Sequence, residues 1–272
     1  MSIYFSSLNS GSNGNCYYIG NKNEALLIDA GISCRETEKR LARLGLGFEK
    51  IKAIFISHEH SDHISGLETI ANKHRIRVYI TEATHRNTQL NISPELLRNF
   101  TVSEPIFIGG LQVNAFKKQH DAIDPHSFTV KFNNAVVGVF TDIGISCHEV
   151  IKQFKTCHAA FLESNYDEQM LESGNYPSHL KTRIKGPTGH LSNKQALDLF
   201  TKHKSAHMSH ILLAHLSKDN NNSDLVKTLF TKHAKKTMVS VASRFQETPL
   251  FSIDLKKQMM SSMELNSQLS LF

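Results

Sequence analysis

Short apolar runs alternate along this chain with amphipathic stretches and polar turns, the pattern of strands interleaved with helices. Strands are predicted over residues 2–8, 16–19, 25–29 and 51–57. Residues 35–44 carry Thr37, Leu41 and Leu44 on one side and charge on the other, which predicts a helix. A helix over 64–74, a strand over 77–81 and two short helices around Pro94 within 82–97 follow. Strands are predicted at 100–103, 106–108 and 111–116, with Gly109-Gly110 turning the last two into a hairpin. A second hairpin joins 127–132 to 136–141 through Asn133-Asn134. The second half predicts helices at 149–154, 167–173, 178–184, 194–203 and 224–231, and strands at 159–163, 211–214, 238–241 and 250–253. Hairpin-rich strands with helices between them, twice over, imply an α/β (α+β) architecture of two packed sheets with helices outside. We read one domain over residues 1–255 and a polar tail over 256–272, either helical or frayed.

Composition narrows the class. At 272 residues, 40% hydrophobic and 21% charged, the chain can bury a full core. No apolar run approaches bilayer length. Met1-Ser2-Ile3-Tyr4-Phe5 lacks the basic and apolar regions of a secretory leader, so the cytoplasm is the expected compartment. Cys16, Cys34, Cys147 and Cys157 are widely spread with no CxxC, so they read as incidental thiols and a cysteine-based zinc site is not expected. A net charge of +6 favours polyanionic partners only weakly. Basic clusters such as Lys181/Arg183/Lys185 are candidate phosphate contacts, with a solvated face the simpler account of any one of them.

The candidate chemistry is concentrated in His58-Glu59-His60-Ser61-Asp62-His63, directly after the strand at 51–57. Imidazole and carboxylate suit zinc and manganese alike. His58 and His60, two apart in extended chain, point the same way, whereas Asp62 and His63 open the next helix. One loop can therefore begin two metal sites. A zincin helix is excluded, because the second histidine of its i, i+4 pair is Asp62 here. His120, Asp142 and His215 each follow an apolar strand, so all three can converge on one rim. Asp29 also closes a strand and can orient the ligand loop through hydrogen bonds. The turn Asn9-Ser10-Gly11-Ser12-Asn13-Gly14-Asn15 reads as a plain tight loop ahead of a phosphate cradle.

With these residues in place the chain resembles the metallo-beta-lactamase-fold hydrolases, whose signature is HxHxDH. The family fold, a four-layer αββα sandwich, is then implied. By that resemblance His58, His60 and His120 would hold one metal; Asp62, His63 and His215 would hold the other; and Asp142 would bridge the two. Ser10-Gly11-Ser12-Asn13-Gly14-Asn15-Cys16-Tyr17, Leu162-Glu163-Ser164-Asn165-Tyr166-Asp167, Gly189-His190-Leu191-Ser192-Asn193 and His215-Leu216-Ser217-Lys218-Asp219-Asn220-Asn221 are similar to the YycJ/WalJ-type subfamily. That group is regarded as bacterial cytoplasmic nucleases with exonuclease activity on DNA. Tyr166 departs from it, standing where many relatives carry His.

The resemblance implies a phosphodiesterase with two divalent metals, zinc or manganese, that ionise a bridging water. Asp62 and Asp142 would hold the pair, and His190 would contact the phosphate or protonate the leaving oxygen. The helix start after Ser192 could also donate N–H groups to a phosphate. The implied partner is nucleic acid, DNA ahead of RNA. Competing readings are a thioesterase of glyoxalase II type and a metal-binding module without catalysis. A flavodiiron role is disfavoured, since such proteins carry Glu where His60 stands. The interval from Asp142 to His190 is too short for an inserted beta-CASP domain. Oligomeric state is not legible in the sequence.

Overall fold

Alternation within each strand sorts its side chains onto two faces, and the two faces meet different layers. The computed structural model describes residues 2–254; the tail at 256–272 lies outside the described residues. One sheet contains β1 (Ile3–Asn9), β2 (Cys16–Gly20), β3 (Ala25–Ile28), β4 (Ile51–Phe55), β5 (Arg77–Tyr79) and β6 (Leu97–Arg98), in that order. The other contains β7 (Ile106–Ile108), β8 (Leu111–Lys117), β9 (His126–Phe132), β10 (Ala135–Phe140), β11 (Ala159–Glu163), β12 (His210–Ala214) and β13 (Met238–Val241), also in sequence order. The last strand, β14 (Phe251–Ile253), returns to the first sheet and pairs with β1.

In β3, Leu26 and Ile28 face the core between the sheets, with Phe5, Tyr17, Phe128 and Phe161. Ala25 and Leu27 face outward. There they meet Leu41 of α1 (Cys34–Arg43) and Leu67 and Ile70 of α3 (Leu67–His74). In β11, Phe161 points inward, whereas Ala160 and Leu162 pack outward. Their partners are Phe154 of α5 (His148–Phe154), Phe200 of α8 (Asn193–His203) and Phe230 of α9 (Ser223–Thr231). Three apolar layers between four polypeptide layers make the αββα sandwich. Among the described residues no helix is long and apolar enough to cross a membrane.

Each sheet changes from antiparallel to parallel part-way across. The switch falls at β3 in one, which pairs antiparallel with β2 and parallel with β4. In the other it falls at β10, antiparallel to β9 and parallel to β11. Neighbouring parallel strands end on the same edge, where α/β proteins place their ligands.

Three expectations are corrected. Residues 100–103 are not a strand: Phe100 is buried between the sheets, but 101–104 are exposed and carry the chain from one sheet to the other. The edge strand is β6 instead, held by Ile80 N donating to Arg98 O at 3.0 Å. The helix at 64–74 is divided into α2 (Ser61–Ile64) and α3, with Gly66 between them. A Cβ at Gly66 would lie 1.9 Å from Ile32 O, so only glycine fits this approach of the ligand loop to the sheet. Within 82–97, α4 (Glu82–Arg86) forms, but Pro94 opens only a 3-10 turn (Pro94–Leu96).

Candidate metal centre

Strand ends place the side chains. Asp29 follows β3, Asp142 follows β10 and His215 follows β12, and all three have left-handed backbone, with φ of 61°, 55° and 54°. For a non-glycine residue that conformation costs about 1–3 kcal/mol, and such strain gathers at functional sites. Each chain thus turns off its sheet at once and leaves a buried polar side chain on the rim.

The histidines form two nests, and hydrogen bonds behind each ring fix which nitrogen faces inward. Ser57 Oγ donates to Asp29 Oδ2 at 2.9 Å. It must therefore accept from His58 Nδ1, 2.8 Å away, leaving His58 Nε2 free. His60 Nε2 lies 3.2 Å from Asp121 O, which leaves Nδ1. His120 Nδ1 lies 3.2 Å from Gly189 O, which leaves Nε2. The free nitrogens of His58 and His60 are 3.1 Å apart, and those of His58, His60 and His120 form one group.

The second nest repeats the device. His63 Nδ1 sits 2.7 Å from Asp29 Oδ2, and His215 Nδ1 sits 3.0 Å from Glu163 Oε1. The opposite nitrogens, Nε2 of His63 and of His215, each lie 3.5 Å from Asp62 Oδ2. Asn15 Nδ2 donates to the same Asp62 oxygen at 3.0 Å and lies 3.1 Å from His63 Nε2. Asp142, only 1% exposed, stands between the nests. Its Oδ2 is 3.2 Å from His63 Nε2 and its Oδ1 is 3.9 Å from His120 Nε2.

This architecture has many counterparts. Residues 10–118 match the metallo-beta-lactamase superfamily. Exodeoxyribonuclease YycJ of Bacillus anthracis is 33% identical over 249 residues, 90% of this chain and 94% of that one. The chain belongs to the YycJ/WalJ family of metallo-beta-lactamase-fold hydrolases. Exodeoxyribonuclease WalJ of Streptococcus pneumoniae is 30% identical over 226 residues, 81% of this chain and 84% of the other. The fold is shared with the metallo-beta-lactamase fold protein YhfI from Bacillus subtilis, at a TM-score of 0.72 and 14% identity, over 93% of this chain and all of that one. Membership makes the chain a metal-dependent hydrolase.

The residues of this YycJ/WalJ-type chain fit divalent cations. His120 Nε2, Asp142 Oδ2 and His215 Nε2 are buried side-chain atoms without a hydrogen-bond partner, and each faces a nest. Orphaned polar atoms are rare in native interiors, so three at one place call for a cation. The titration behaviour agrees. Burial pushes His58 well below its ordinary value, and His63 adds to the shift. Burial likewise lowers His120 to about 4. Their lone pairs are free at neutral pH. In the second nest burial favours neutral groups but loses to the charges. Asp142 is held well below the carboxylate range by His215 and His63, and Asp142 and Asp29 raise His63. His215 rises to about 10, with Asp142 again the main opposing charge. Protons on His63 and His215 there balance carboxylates that a cation would otherwise balance.

Glu163 is the residue that the sequence did not single out. It ends β11 as Asp142 follows β10, and it is fully buried. Its Oε2 accepts from Ile143 N at 2.8 Å and Leu191 N at 3.2 Å. Its Oε1 faces both His215 Nδ1 and, at 2.8 Å, His190 Nδ1. Burial alone would raise its pKa, but His190 and His215 bring it down to about 2. An acidic residue closing an apolar strand was the available signal. His190 is half-buried at the mouth, 3.8 Å from Asp142 Oδ1.

Two possible phosphate contacts are otherwise engaged. In the 9–15 loop, the N–H groups of Ser10, Gly11, Gly14 and Asn15 already have partners. Ser10 Oγ instead accepts from His215 N at 2.7 Å, so this loop buttresses the second nest. The start of α8 is closed by a capping box between Ser192 and Gln195, and Asn193 N donates to Tyr166 O. Tyr166 is buried and bridges to Ser192 as a backbone element, holding the Glu163 segment beside Leu191. Of the basic clusters, Lys181, Arg183 and Lys185 lie on α7 (Ser178–Lys185), which follows α6 (Glu168–Ser173) and reaches the rim through Arg183 Nε to Asp121 Oδ2 at 2.5 Å.

Proposed function

We propose that this hydrolase is a DNA exonuclease working with two divalent cations, zinc or manganese. The observation that carries the reading is Asp142, one buried carboxylate facing both nests. His58, His60 and His120 would hold one cation, Asp62, His63 and His215 the other, and Asp142 would touch both. Two cations bound there would supply a water of lowered pKa and neutralise charge on a phosphodiester. Asp29 and Ser57 keep the ligand loop rigid, so the donors need no rearrangement.

His190 works at the mouth. Its Nδ1 proton is fixed on ionised Glu163, which directs Nε2 away from the carboxylate. Nε2 is then the nitrogen that would hand a proton to a leaving oxygen, with Glu163 orienting the ring. The exodeoxyribonuclease names of the relatives favour DNA over RNA as partner, and a cytoplasmic location accords with that substrate.

The test is purified protein with end-labelled duplex DNA, single-stranded DNA, RNA and a generic thioester, in Mn²⁺ or Zn²⁺, with metal content measured on the same sample. Metal-dependent release of labelled nucleotides from DNA, absent in Asp142→Asn, is expected. Thioester cleavage alone would replace the nuclease reading with a glyoxalase-type one.

A further inference from the structure

Among the described residues, one group of ligand-type side chains outside the rim has its donor atoms drawn together: Cys34, Glu38 and His74. They sit on the outer helical layer. Cys34 and Glu38 are one turn apart on α1, and His74 is the last residue of α3. Cys34 Sγ is 3.6 Å from Glu38 Oε1 and 3.7 Å from His74 Nε2, and those last two atoms are 3.0 Å apart.

These separations approach the edges of a coordination tetrahedron. Zinc bonds of about 2.3 Å to sulfur and about 2.0–2.1 Å to nitrogen or oxygen imply edges of roughly 3.5 Å to sulfur and roughly 3.4 Å between nitrogen and oxygen. Small side-chain adjustments would complete the match. The histidine ring is already held, stacked on Phe48 with centroids 3.9 Å apart and planes 9° from parallel. The thiol is buried, which suits a ligand shielded from oxidation. The other polar contact is Lys73 Nζ, 2.7 Å from Glu38 Oε1 on an exposed side chain that can swing away.

We propose that Cys34, Glu38 and His74 form a separate site for one thiophilic four-coordinate cation of the zinc class, clipping α1 to α3. The fourth position opens on a groove lined by Glu38, Leu46 and Phe48, where water completes the tetrahedron. Binding transfers the thiol proton to solvent and frees Lys73 from Glu38. Residues 34, 38 and 74 have no zinc-motif spacing, so only the packing of α1 on α3 assembles them. The site is independent of the nuclease reading, because the rim ligands are nitrogen and oxygen only.

That difference supplies the probe. Cobalt(II) titrated into metal-stripped full-length protein should give a sulfur-to-cobalt charge-transfer band in the near ultraviolet. Cys34→Ser should lose the band and one equivalent of bound cobalt while retaining hydrolase activity. His74→Gln, a half-buried change that leaves the thiol in place, should weaken cobalt binding in the same band and serves if the serine variant does not fold. Absence of the band in wild-type protein at saturating cobalt overturns the proposal. So does a band that persists undiminished in Cys34→Ser, or cobalt binding in that band unaltered by His74→Gln.

Discussion

The first sheet's half of the molecule brings Asp29 and the loop 58–63 from two neighbouring strand ends, β3 and β4, whereas the second sheet's half brings His120, Asp142, Glu163 and His215 from the ends of β8, β10, β11 and β12. Both halves place a fully buried carboxylate behind a histidine: Asp29 behind His63, Glu163 behind His215. The two carboxylates differ in what else they hold. Asp29 also grips the 58–63 loop through Ser57 N and Oγ, so beyond its charge on His63 it positions that loop. Glu163 shares one oxygen between His215 and His190 at the mouth. The first supplies a rigid seat; the second couples the seat to His190, the proposed proton donor.

Asp142 is the side chain on which both halves meet, so its loss should have the largest effect. Asp142→Asn is expected to lower turnover by at least about 10³-fold and to reduce bound metal, with the folded circular-dichroism spectrum kept. Full turnover at normal metal content would break the two-nest arrangement. The carboxylates behind the histidines come next. Asp29→Asn should weaken metal affinity about 10- to 100-fold while the metal-saturated enzyme turns over nearly normally. Glu163→Gln should weaken affinity similarly and in addition cut saturated turnover about 100-fold, because His190 loses the carboxylate that orients its ring. Identical behaviour of the two variants would erase the distinction between seat and proton group.

The nests should also separate by pH. The folded state raises His215 from 6.5 to about 10, so its protonated pairing stabilises the metal-free protein fully below pH 6.5. That contribution is lost as the pH rises through about 10. His63 is raised as well, so a cation must displace protons from both rings, and affinity at the second nest should climb by at least about tenfold, and up to about a hundredfold, per pH unit above neutrality. His58 and His120 are already lowered, the latter to about 4, and add no such dependence to the first nest near neutrality. Calorimetric metal titrations at several pH values should resolve one steep and one flat class. Two flat classes would contradict the protonated state assigned to His215.

The same asymmetry governed what could be read before the fold. The candidate ligands within 58–63 are near neighbours in sequence, so local spacing suffices to find them. His120, Asp142 and His215 are legible as polar residues closing apolar strands, but only β-pairing brings them together. Glu163 obeys the same rule, yet its place in the mature site depends on His190 arriving from the segment before α8. The layered fold follows from alternation within strands such as β3 and β11. Irregular connections were less legible. The run at 100–103 has strand composition but bridges two sheets, and Gly66 divides a helix because the backbone of Ile32 passes too close for a side chain.

The halves meet again where the chain returns from β13 to β14, and this return carries Phe245, which is 79% exposed. The ring shares a groove with Ser10, Ser217, Lys218 and Arg244, next to the strand end that bears His215. Its backbone is firmly held: Arg40 Nη2 donates to Phe245 O at 3.2 Å, and Phe245 N donates to Ser243 Oγ at 3.0 Å. On the exonuclease reading, an exposed ring on an anchored backbone, in a groove shared with Lys218, suits a stacked base, which is worth about 1–3 kcal/mol. Phe245→Ala should therefore weaken single-stranded DNA binding by roughly tenfold, with turnover at saturation little changed. Fluorescence anisotropy at several salt concentrations would measure it. The log–log salt slope, about −0.7 per phosphate contact on a single strand, should stay the same, since a phenyl ring neutralises no phosphate. A shallower slope would mean that the substitution had disturbed Lys218 or Arg244, and unchanged affinity would move the substrate path to the α7 side of the rim.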